Sequence, residues 1–338
     1  MEEVTDFAFR EMFARYSGYH PLTPSYVKRG NNDFVLFTEF VNVDGIMHEE
    51  GRKKLLIDLK YSERQRPIVV QLWGSNPEKF YEAAQFVTSL GFDGIDINMG
   101  CPQSKEIAIG ACAALIREPK LAQEIILATK KGSRLRQACL SGRQGFGGQA
   151  GDLPVSVKTR IGYSKPEEMG EWVKIILETE PAALILHGRT KKEMSKVPAH
   201  WDKIKEAVEI RDQMESQTLI VGNGDIKSYQ EGIGHARESG VDGIMAGRGA
   251  FGYPWFFRAD DHLPDVKECL RAMLEHADLF EQTFAGKKSF VLMRKHFKAY
   301  VSGFDGAHEL RAKLMQVKDI QETRKFVEDF LQKFSTPS

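Results

Sequence analysis

The fold of this chain is constrained most by seven short apolar runs that alternate with segments of helical period. The runs are rich in Val, Ile and Leu, and each is short enough to be a buried β-strand. They are Asp33–Phe40, Pro67–Trp73, Asp93–Met99, Pro154–Thr159, Ala182–His187, Thr218–Asn223 and Asp242–Ala246. The segments between them predict helices at Pro77–Leu90, Leu121–Lys131, Pro166–Glu180, His200–Met214 and Tyr229–Ser239. This alternation predicts a parallel sheet covered by helices.

Two of the runs, PIVVQLW and AALILHG, are apolar on both faces, as expected of strands that are covered on both sides. Runs at intervals of roughly 25–35 residues fit an α/β fold of the (β/α)8 TIM-barrel type better than a doubly wound sheet. The length of 338 residues accommodates such a barrel and a smaller domain. Seven runs leave an eighth strand to be found.

The pattern changes after Phe257 to a helical remainder over Asp265–Phe334, with apolar residues spaced three and four apart. We therefore predict a catalytic barrel over residues 1–259 and a helical domain over residues 260–338. Residues 141–151 (SGRQGFGGQAG) are rich in Gly and Gln and are interpreted as a flexible insertion.

Composition excludes several classes of protein. The mean hydropathy is −0.36, and no apolar run is long enough to span a membrane. The first twenty residues contain no apolar segment of the secretory type, so a cytoplasmic location is expected. Four cysteines without a CxxC pair favour neither a disulfide scaffold nor the usual metal sites. The 47 basic and 47 acidic side chains give no net charge, which leaves nucleic-acid binding open.

Polar and glycine residues follow six of the predicted strands, where the carboxyl ends of barrel strands would form one mouth. The pairs are Gln71 and Gly74, Asn98 and Cys101, Lys158 and Arg160, His187 and Arg189, Asn223 and Asp225, and Gly247 and Arg248. Two adjacent glycine motifs, GNGD and MAGRGAFGYPW, favour a phosphate site, although each alone is as readily an ordinary tight turn. Lys158 fits an anionic ligand, with a salt-bridged structural lysine as the alternative.

Cys101 stands out among the cysteines because it lies on the turn that leaves a predicted strand and so faces the mouth. Most cysteines are small buried hydrophobic residues, and Cys112, Cys139 and Cys269 fit that description. His187 also ends a strand, where it is either a catalytic residue or a polar residue with ordinary partners.

Six motifs in order resemble the tRNA-dihydrouridine synthases. They are DGIDINMGCPQ, GACAALI, VSVKTRIGY, LILHGRT, VGNGDI and DGIMAGRGAFGYPWFF. The tail segment RKHFKAYVSGF also resembles the helical domain of that family. The resemblance implies a barrel that holds FMN, reduces specific uridines of tRNA to dihydrouridine with NADPH as reductant, and carries a helical tRNA-binding domain.

The resemblance also implies roles for individual residues. Cys101 would donate a proton to C5 of the uracil while hydride reaches C6, and Asn98 and Arg189 would lie near the base. The residues that would contact the flavin ring and ribityl chain are Gln71, Lys158 and His187. Those that would hold the ribityl chain and phosphate are Asn223, Gly224, Asp225, Gly247 and Arg248.

Two basic regions are expected to bind the tRNA backbone. Residues 125–151 contain five basic side chains and no acidic one, and residues 287–338 contain eleven basic and six acidic side chains. Exposed helix faces that bind nothing are the alternative, but a tRNA interface needs such positive surface.

The chain departs from the family pattern at its beginning, because MEEVTDFAFR opens where the first strand normally ends. We therefore expect the first barrel strand to be missing or truncated, through a late start codon, a shortened chain or closure by another segment. Two other functions stay open at this point: an FMN barrel acting on a small pyrimidine, of the dihydroorotate or dihydropyrimidine dehydrogenase type, and an inactive RNA-binding protein.

Overall fold

The computed structural model describes residues 4–17, 34–134, 152–258, 260 and 262–335. Within them, seven parallel strands form one sheet in chain order. The strands are β1 (Leu36–Asn42), β2 (Ile68–Trp73), β3 (Gly94–Met99), β4 (Val155–Arg160), β5 (Ala183–His187), β6 (Leu219–Asn223) and β7 (Gly243–Met245). Each lies on one of the seven predicted runs, so the predicted parallel α/β fold of the barrel type is confirmed.

Helices follow the strands and cover the sheet. They are α1 (Phe7–Tyr16), α2 (Val43–Met47), α3 (Glu49–Leu55), α4 (Pro77–Ser89), α5 (Ser104–Ala108), α6 (Pro119–Gly132), α7 (Met169–Leu177), α8 (Trp201–Gln213) and α9 (Tyr229–Ser239). Local sequence sets their ends: the Asn76 side chain caps α4 before Pro77, and Gly240 ends α9 with a φ of 76°. The five predicted helices are confirmed, with α7 shortened by a single 3₁₀ turn at Pro166–Glu168.

The predicted helical remainder is also confirmed. It consists of α10 (Val266–Phe284), α11 (Arg294–Tyr300), α12 (Ala307–Leu314) and α13 (Ile320–Ser335), with a 3₁₀ turn at Phe290–Met293. Its apolar side chains form a core of their own, separate from the core between the sheet and its helices. Helix α1 belongs to both, because Phe9 and Phe13 pack in the first core and Ala8 and Met12 in the second.

The two outer strands of the sheet are edges, since no pairing joins β1 to β7 in the described part of the chain. An unpaired edge leaves backbone groups and apolar side chains without a neighbouring strand. Val35, just before the edge strand β1, is 46% exposed. The barrel is thus one strand short in the described residues, as the sequence predicts. The predicted insertion at 141–151 and Cys139 lie outside the described residues.

No helix among the described residues is long and apolar enough to cross a membrane.

Helix α1 is fixed in place by a buried arginine. The Arg10 side chain is 1% exposed, and its guanidinium donates to Gln65 Oε1 at 3.0 Å, to the Lys60 carbonyl at 2.6 Å and to the Thr5 carbonyl. Burial lowers the pKa of Arg10 to about 10, and the nearby Asp6 carboxylate acts in the opposite direction. A planar guanidinium carries five N–H donors in a fixed geometry, which suits acceptors that lie in different directions around it. Arg10 therefore joins α1 to the segment before β2.

We expect Arg10→Met to lower the free energy of unfolding by about 3–5 kcal/mol, because it leaves buried acceptors and a buried carboxylate without their partner. Urea unfolding followed by circular dichroism measures the change. Arg15→Ala is the matched control on the same helix: its side chain is 36% exposed and pairs with Glu11 and Glu275, so the loss should stay below about 1 kcal/mol. Equal losses in the two variants would contradict the assigned role of Arg10.

Candidate active site

The register of the sheet brings the predicted site residues side by side. Gln71 pairs with Asp96, and Asn98 pairs with Lys158. His187 lies between Arg160 on one side and Asn223 on the other. Because all the strands are parallel, these residues form one row near the carboxyl ends of β2 to β6. Five of the six strand ends singled out in the sequence, those of β2 to β6, therefore lie side by side.

A chain of hydrogen bonds runs from β4 to the turn that carries Cys101. Ser156 Oγ donates to Asp96 Oδ1 at 2.6 Å, and Gln71 Nε2 donates to Asp96 Oδ2 at 2.7 Å. Asn98 Nδ2 donates to Gln71 Oε1 at 3.1 Å. The free oxygen of Asn98 then accepts from the backbone N–H groups of Gly100 and Cys101, each at 3.0 Å. Asn98 thus shapes the turn after β3.

Asp96 is the buried carboxyl at the start of this chain of hydrogen bonds. It is fully buried, and burial raises its pKa to about 6, although the bonds from Ser156 and Gln71 and the charge of Lys158 oppose the shift. At neutral pH it is mainly ionised and accepts hydrogen bonds only. The Gln71 amide therefore turns its NH₂ group toward Asp96, and its oxygen in turn accepts from the Asn98 amide.

Cys101 is half-buried on the turn after β3, at the rim of the row, and hydrogen bonds hold the backbone on both sides of it. Its carbonyl accepts from Ala113 N–H at 3.2 Å, and the Gly100 carbonyl accepts from Arg160 Nε at 2.7 Å. The guanidinium of Arg160 also reaches the carbonyls of Thr190 and Met194 at 3.2 and 3.3 Å. Arg160 therefore connects the Cys101 turn to the loop after β5.

Lys158 and His187 are titratable side chains at the centre of the row, and each has a lowered pKa. Burial, and next the charge of Arg160, lower the pKa of Lys158 to about 8, and its Nζ donates to Asn223 Oδ1 at 3.2 Å. Burial, and next the charges of Lys158 and Arg160, lower the pKa of His187 to about 2. His187 is thus a neutral imidazole at any working pH, suited to hydrogen bonding rather than to proton transfer.

The predicted phosphate side is built around Asp225. Its carboxylate accepts from Arg189 Nη2 and from Ala199 N–H at 2.9 Å, and Arg248 Nη2 lies 3.5 Å away. Arg189 is 4% exposed in its side chain and is held in this pair, whereas Arg248 is 65% exposed. Gly224 has a φ of 139°, and a Cβ there would lie 2.6 Å from Ala199 Cβ. The loop therefore requires glycine, and Arg248 is the cation that projects outward.

Gly247 lies just beyond β7, directly before the short 3₁₀ turn Arg248–Ala250. Asn223 connects this part to the row, because its Nδ2 donates to the Met245 carbonyl at 2.7 Å. The predicted site residues thus lie on neighbouring strands and loops, while their individual roles stay predictions.

Three residues of the site had been given no role in the prediction. Asp96 lies inside an apolar run, two residues before Asn98, and Arg160 lies at a strand end, two residues after Lys158. Residues two apart on a strand face the same side, and this was the signal available for both. Cys112 is fully buried, as predicted, but it also hydrogen-bonds the Cys101 side chain. Nothing in its sequence context indicates that contact.

Some of the predicted basic surface has internal partners. Lys130 Nζ donates to the carbonyls of Thr179 and Glu180, and Lys288 pairs with Glu39 and Asp58. Arg294 donates to the carbonyls of Gln316 and Val317. Lys298, Lys318 and Lys325 are exposed. Arg136 and Arg143 lie outside the described residues.

The described residues contain no group of three or more side chains suited to bind a metal.

The raised pKa of Asp96 predicts a specific pH dependence of stability. Because the folded protein binds this proton more tightly than the unfolded chain, the carboxyl stabilises the fold most below pH 4, and that contribution is lost as the pH rises to about 6. Relative to Asp96→Asn, wild type should lose at most about 3 kcal/mol of unfolding free energy between pH 4 and 7. Urea unfolding at several pH values tests this. The exposed Asp44 supplies the control variant Asp44→Asn, which should follow wild type, and a difference between Asp96→Asn and wild type that is constant with pH would contradict the assignment.

The chain matches known proteins over nearly its whole length. A family model described as Dihydrouridine synthase (Dus) matches residues 1–335. The chain is 38% identical over 331 residues to a protein named "Probable tRNA-dihydrouridine synthase" from Staphylococcus aureus (strain MRSA252), covering 98% of this chain and 91% of that protein. It is 37% identical over 335 residues to "Probable tRNA-dihydrouridine synthase 2" from Bacillus subtilis (strain 168), covering 99% and 93%.

Among solved structures, histamine dehydrogenase from Rhizobium sp. 4-9 is similar at 12% identity with a TM-score of 0.49, covering 82% of this chain and 46% of that one, which is too distant to assign chemistry. The family match and the curated relatives agree with each other and with the motifs that surround Cys101, Lys158 and His187. The chain belongs to the dihydrouridine synthase family.

Proposed function

We propose that this protein reduces uridines of tRNA to 5,6-dihydrouridine, with FMN as the bound cofactor, NADPH as its reductant and Cys101 as the proton donor. The observation that supports this most is the row of Gln71, Asn98, Lys158 and His187 with Cys101 fixed at its rim by Asn98. The alternative of an FMN barrel acting on a small pyrimidine is not favoured, because the family and the curated relatives are dihydrouridine synthases.

The donor set of the row suits an anionic, ring-shaped cofactor. The Lys158 ammonium has three N–H donors, and within the described residues Asn223 Oδ1 accepts one of them. A half-buried cation whose pKa is lowered to about 8 would be stabilised by a negative group beside it. Gln71, Lys158 and His187 would hold the flavin ring and ribityl chain. Asn223, Gly224, Asp225, Gly247 and the exposed Arg248 would hold the ribityl chain and the phosphate.

When bound and reduced, FMN supplies the hydride for C6 of the uracil ring. The residues of this chain then have separate tasks. Lys158 stabilises negative charge on the cofactor beside it, and His187 stays neutral and donates or accepts a hydrogen bond. Asn98 and Arg189 are the residues proposed to lie near the base.

Cys101 delivers the proton to C5 from the rim. Lys158 and Arg160 lie close enough to interact electrostatically with Cys101, and a nearby cation stabilises the thiolate that remains once the proton has left. Asn98 and Arg160 hold the backbone on either side of the thiol, so the sulfur keeps its position while its charge changes. This arrangement suits a general acid.

The tRNA must supply a uridine drawn out of its stacked position, which costs a few kcal/mol. Contacts to the tRNA backbone offset that cost. We assign these contacts to the helical domain over residues 260–338, where Lys298, Lys318 and Lys325 are exposed, and to the region of residues 125–151. The division into domains at residues 259 and 260, the absence of a bound metal and the cytoplasmic location stay predictions.

We predict that Cys101→Ala retains bound flavin and NADPH oxidation within about twofold but lowers dihydrouridine formation about 100-fold or more, because a general acid is lost. Flavin absorbance, NADPH consumption and mass spectrometry of the tRNA product report these separately. The half-buried Cys269 of α10 supplies the control Cys269→Ala, which should keep full activity. Loss of flavin from Cys101→Ala would instead show a structural role for Cys101.

The substrate is tested by mapping dihydrouridine in tRNA from a strain that lacks this gene. At least one position should lose the modification, and the purified protein with FMN and NADPH should restore it in that tRNA. If every position keeps dihydrouridine and the purified protein adds none, the proposed function is wrong.

A further inference from the structure

A second cysteine lies against the proposed proton donor. Cys112 is eleven residues beyond Cys101, after helix α5, and the chain turns back so that the Cys112 side chain hydrogen-bonds the Cys101 side chain. The Cys101 carbonyl also accepts from Ala113 N–H at 3.2 Å, so the two backbones are adjacent as well. The two cysteines are not joined by a disulfide in this structure.

The two thiols differ in access. Cys101 is half-buried at the mouth, whereas Cys112 is fully buried. The hydrogen bond with Cys101, and next burial, raise the pKa of the Cys112 thiol. An oxidant from solvent therefore meets Cys101 first, beside the positive charges of Lys158 and Arg160, and Cys112 stays a protonated thiol behind it.

The backbone at Cys112 holds this arrangement in an uncommon conformation. Its φ is 55°, in the left-handed region that a side chain other than those of Gly, Asn and Asp rarely adopts. The surrounding structure fixes it there, since Ala111, Cys112 and Ala113 are all fully buried. A glycine at position 112 would satisfy the backbone without strain, so a cysteine there adds a thiol at some conformational cost.

A buried carboxylate also lies near Cys112. Glu106 is fully buried and its charge acts on the Cys112 thiol. Neither of its carboxylate oxygens makes a hydrogen bond within the described residues, and Lys105 Nζ lies 3.5 Å from Oε1. Glu106 thus has two carboxyl oxygens without a hydrogen-bonded partner, close to a buried thiol that must lose its proton before it can react.

We propose that Cys101 and Cys112 form a reversible disulfide under peroxide, which switches off the proposed proton donor and protects it from irreversible oxidation. The Cys101 sulfur attacks one oxygen of hydrogen peroxide, the O–O bond breaks, and water leaves with the thiol proton, giving a sulfenic acid. The Cys112 sulfur then attacks the Cys101 sulfur and gives its proton to Glu106, the S–O bond breaks, and the departing hydroxide takes that proton from Glu106 to leave as a second water. Two thiols are oxidised to one disulfide, and one peroxide is reduced to two waters. A dithiol reductant reverses the change.

The disulfide is detected without any assay of activity. The experiment uses the full-length holoprotein with Cys139→Ser and Cys269→Ser, so that Cys101 and Cys112 are the two cysteines left. After brief treatment with hydrogen peroxide and alkylation, trypsin cleaves at Lys105 and separates the cysteines. We expect a linked pair of peptides, 80–105 and 106–117, two hydrogens lighter than the reduced pair, which dithiothreitol separates.

Two variants at position 112 provide the matched comparison. Cys112→Gly suits the left-handed backbone and Cys112→Ala keeps a side chain, so at least one should fold as wild type by circular dichroism. In both, Cys101 should be trapped by dimedone as a sulfenic acid and should pass to the sulfinic acid about tenfold faster than in the parent protein. Glu106→Gln should slow formation of the linked pair without slowing the first oxidation.

Unlinked Cys101 sulfinic acid in the folded parent protein, at the rate seen in Cys112→Gly, would overturn the proposal. This outcome is distinct from failure of the proposed function. If the linked pair forms but Cys101→Ala still makes dihydrouridine, the disulfide stands and the role of Cys101 as proton donor does not.

Discussion

The ionised carboxylate of Asp96 determines the geometry of the site. A carboxylate accepts hydrogen bonds and donates none, so the amide NH₂ of Gln71 must face it and the Gln71 oxygen must face Asn98. The remaining Asn98 oxygen is then the acceptor for the N–H groups of Gly100 and Cys101. The direction of two amides, which the heavy atoms alone would leave ambiguous, follows from one charge. That charge is kept in a fully buried position, where it costs stability, and Ser156, Gln71 and Lys158 reduce this cost.

Positive charge surrounds the reacting groups. Burial lowers the pKa of both Lys158 and Arg160, and the charge of Arg160 lowers that of Lys158 further. His187, which pairs with Arg160 across the sheet, stays neutral. Such a cluster destabilises the empty protein and is relieved when an anion binds, which suits a site that holds a phosphate-bearing cofactor and leaves a thiolate behind during the reaction. Nearby positive charge favours a thiolate, the form of cysteine that reacts with peroxide. Cys112 is the neighbouring thiol that can form a disulfide with Cys101 before further oxidation.

Much of the fold was predictable because apolar runs of strand length mark the seven strands, and parallel strands bring their carboxyl ends together. The polar residues after those runs therefore identified most of the row, including Gln71 and His187. Asp96 was not identified, because its alternation with Asn98 was the one local signal and its partners come from β2 and β4. Cys112 was assigned only to the core, since its contact with Cys101 depends on a left-handed residue that reverses the chain. The placement of α1 across two cores depends on Arg10 and on contacts distant in sequence.

Hydrogen exchange at the Gly100 and Cys101 amides tests most directly whether the hydrogen bonds that begin at Asp96 fix the Cys101 turn. In wild type both amides should exchange slowly, because Asn98 accepts from each of them. In Gln71→Met, Asn98 loses the partner that orients it, so exchange at these two amides should become faster while the amides within β3 and β4 keep their protection. Unchanged exchange at Gly100 and Cys101 in that variant would contradict the account.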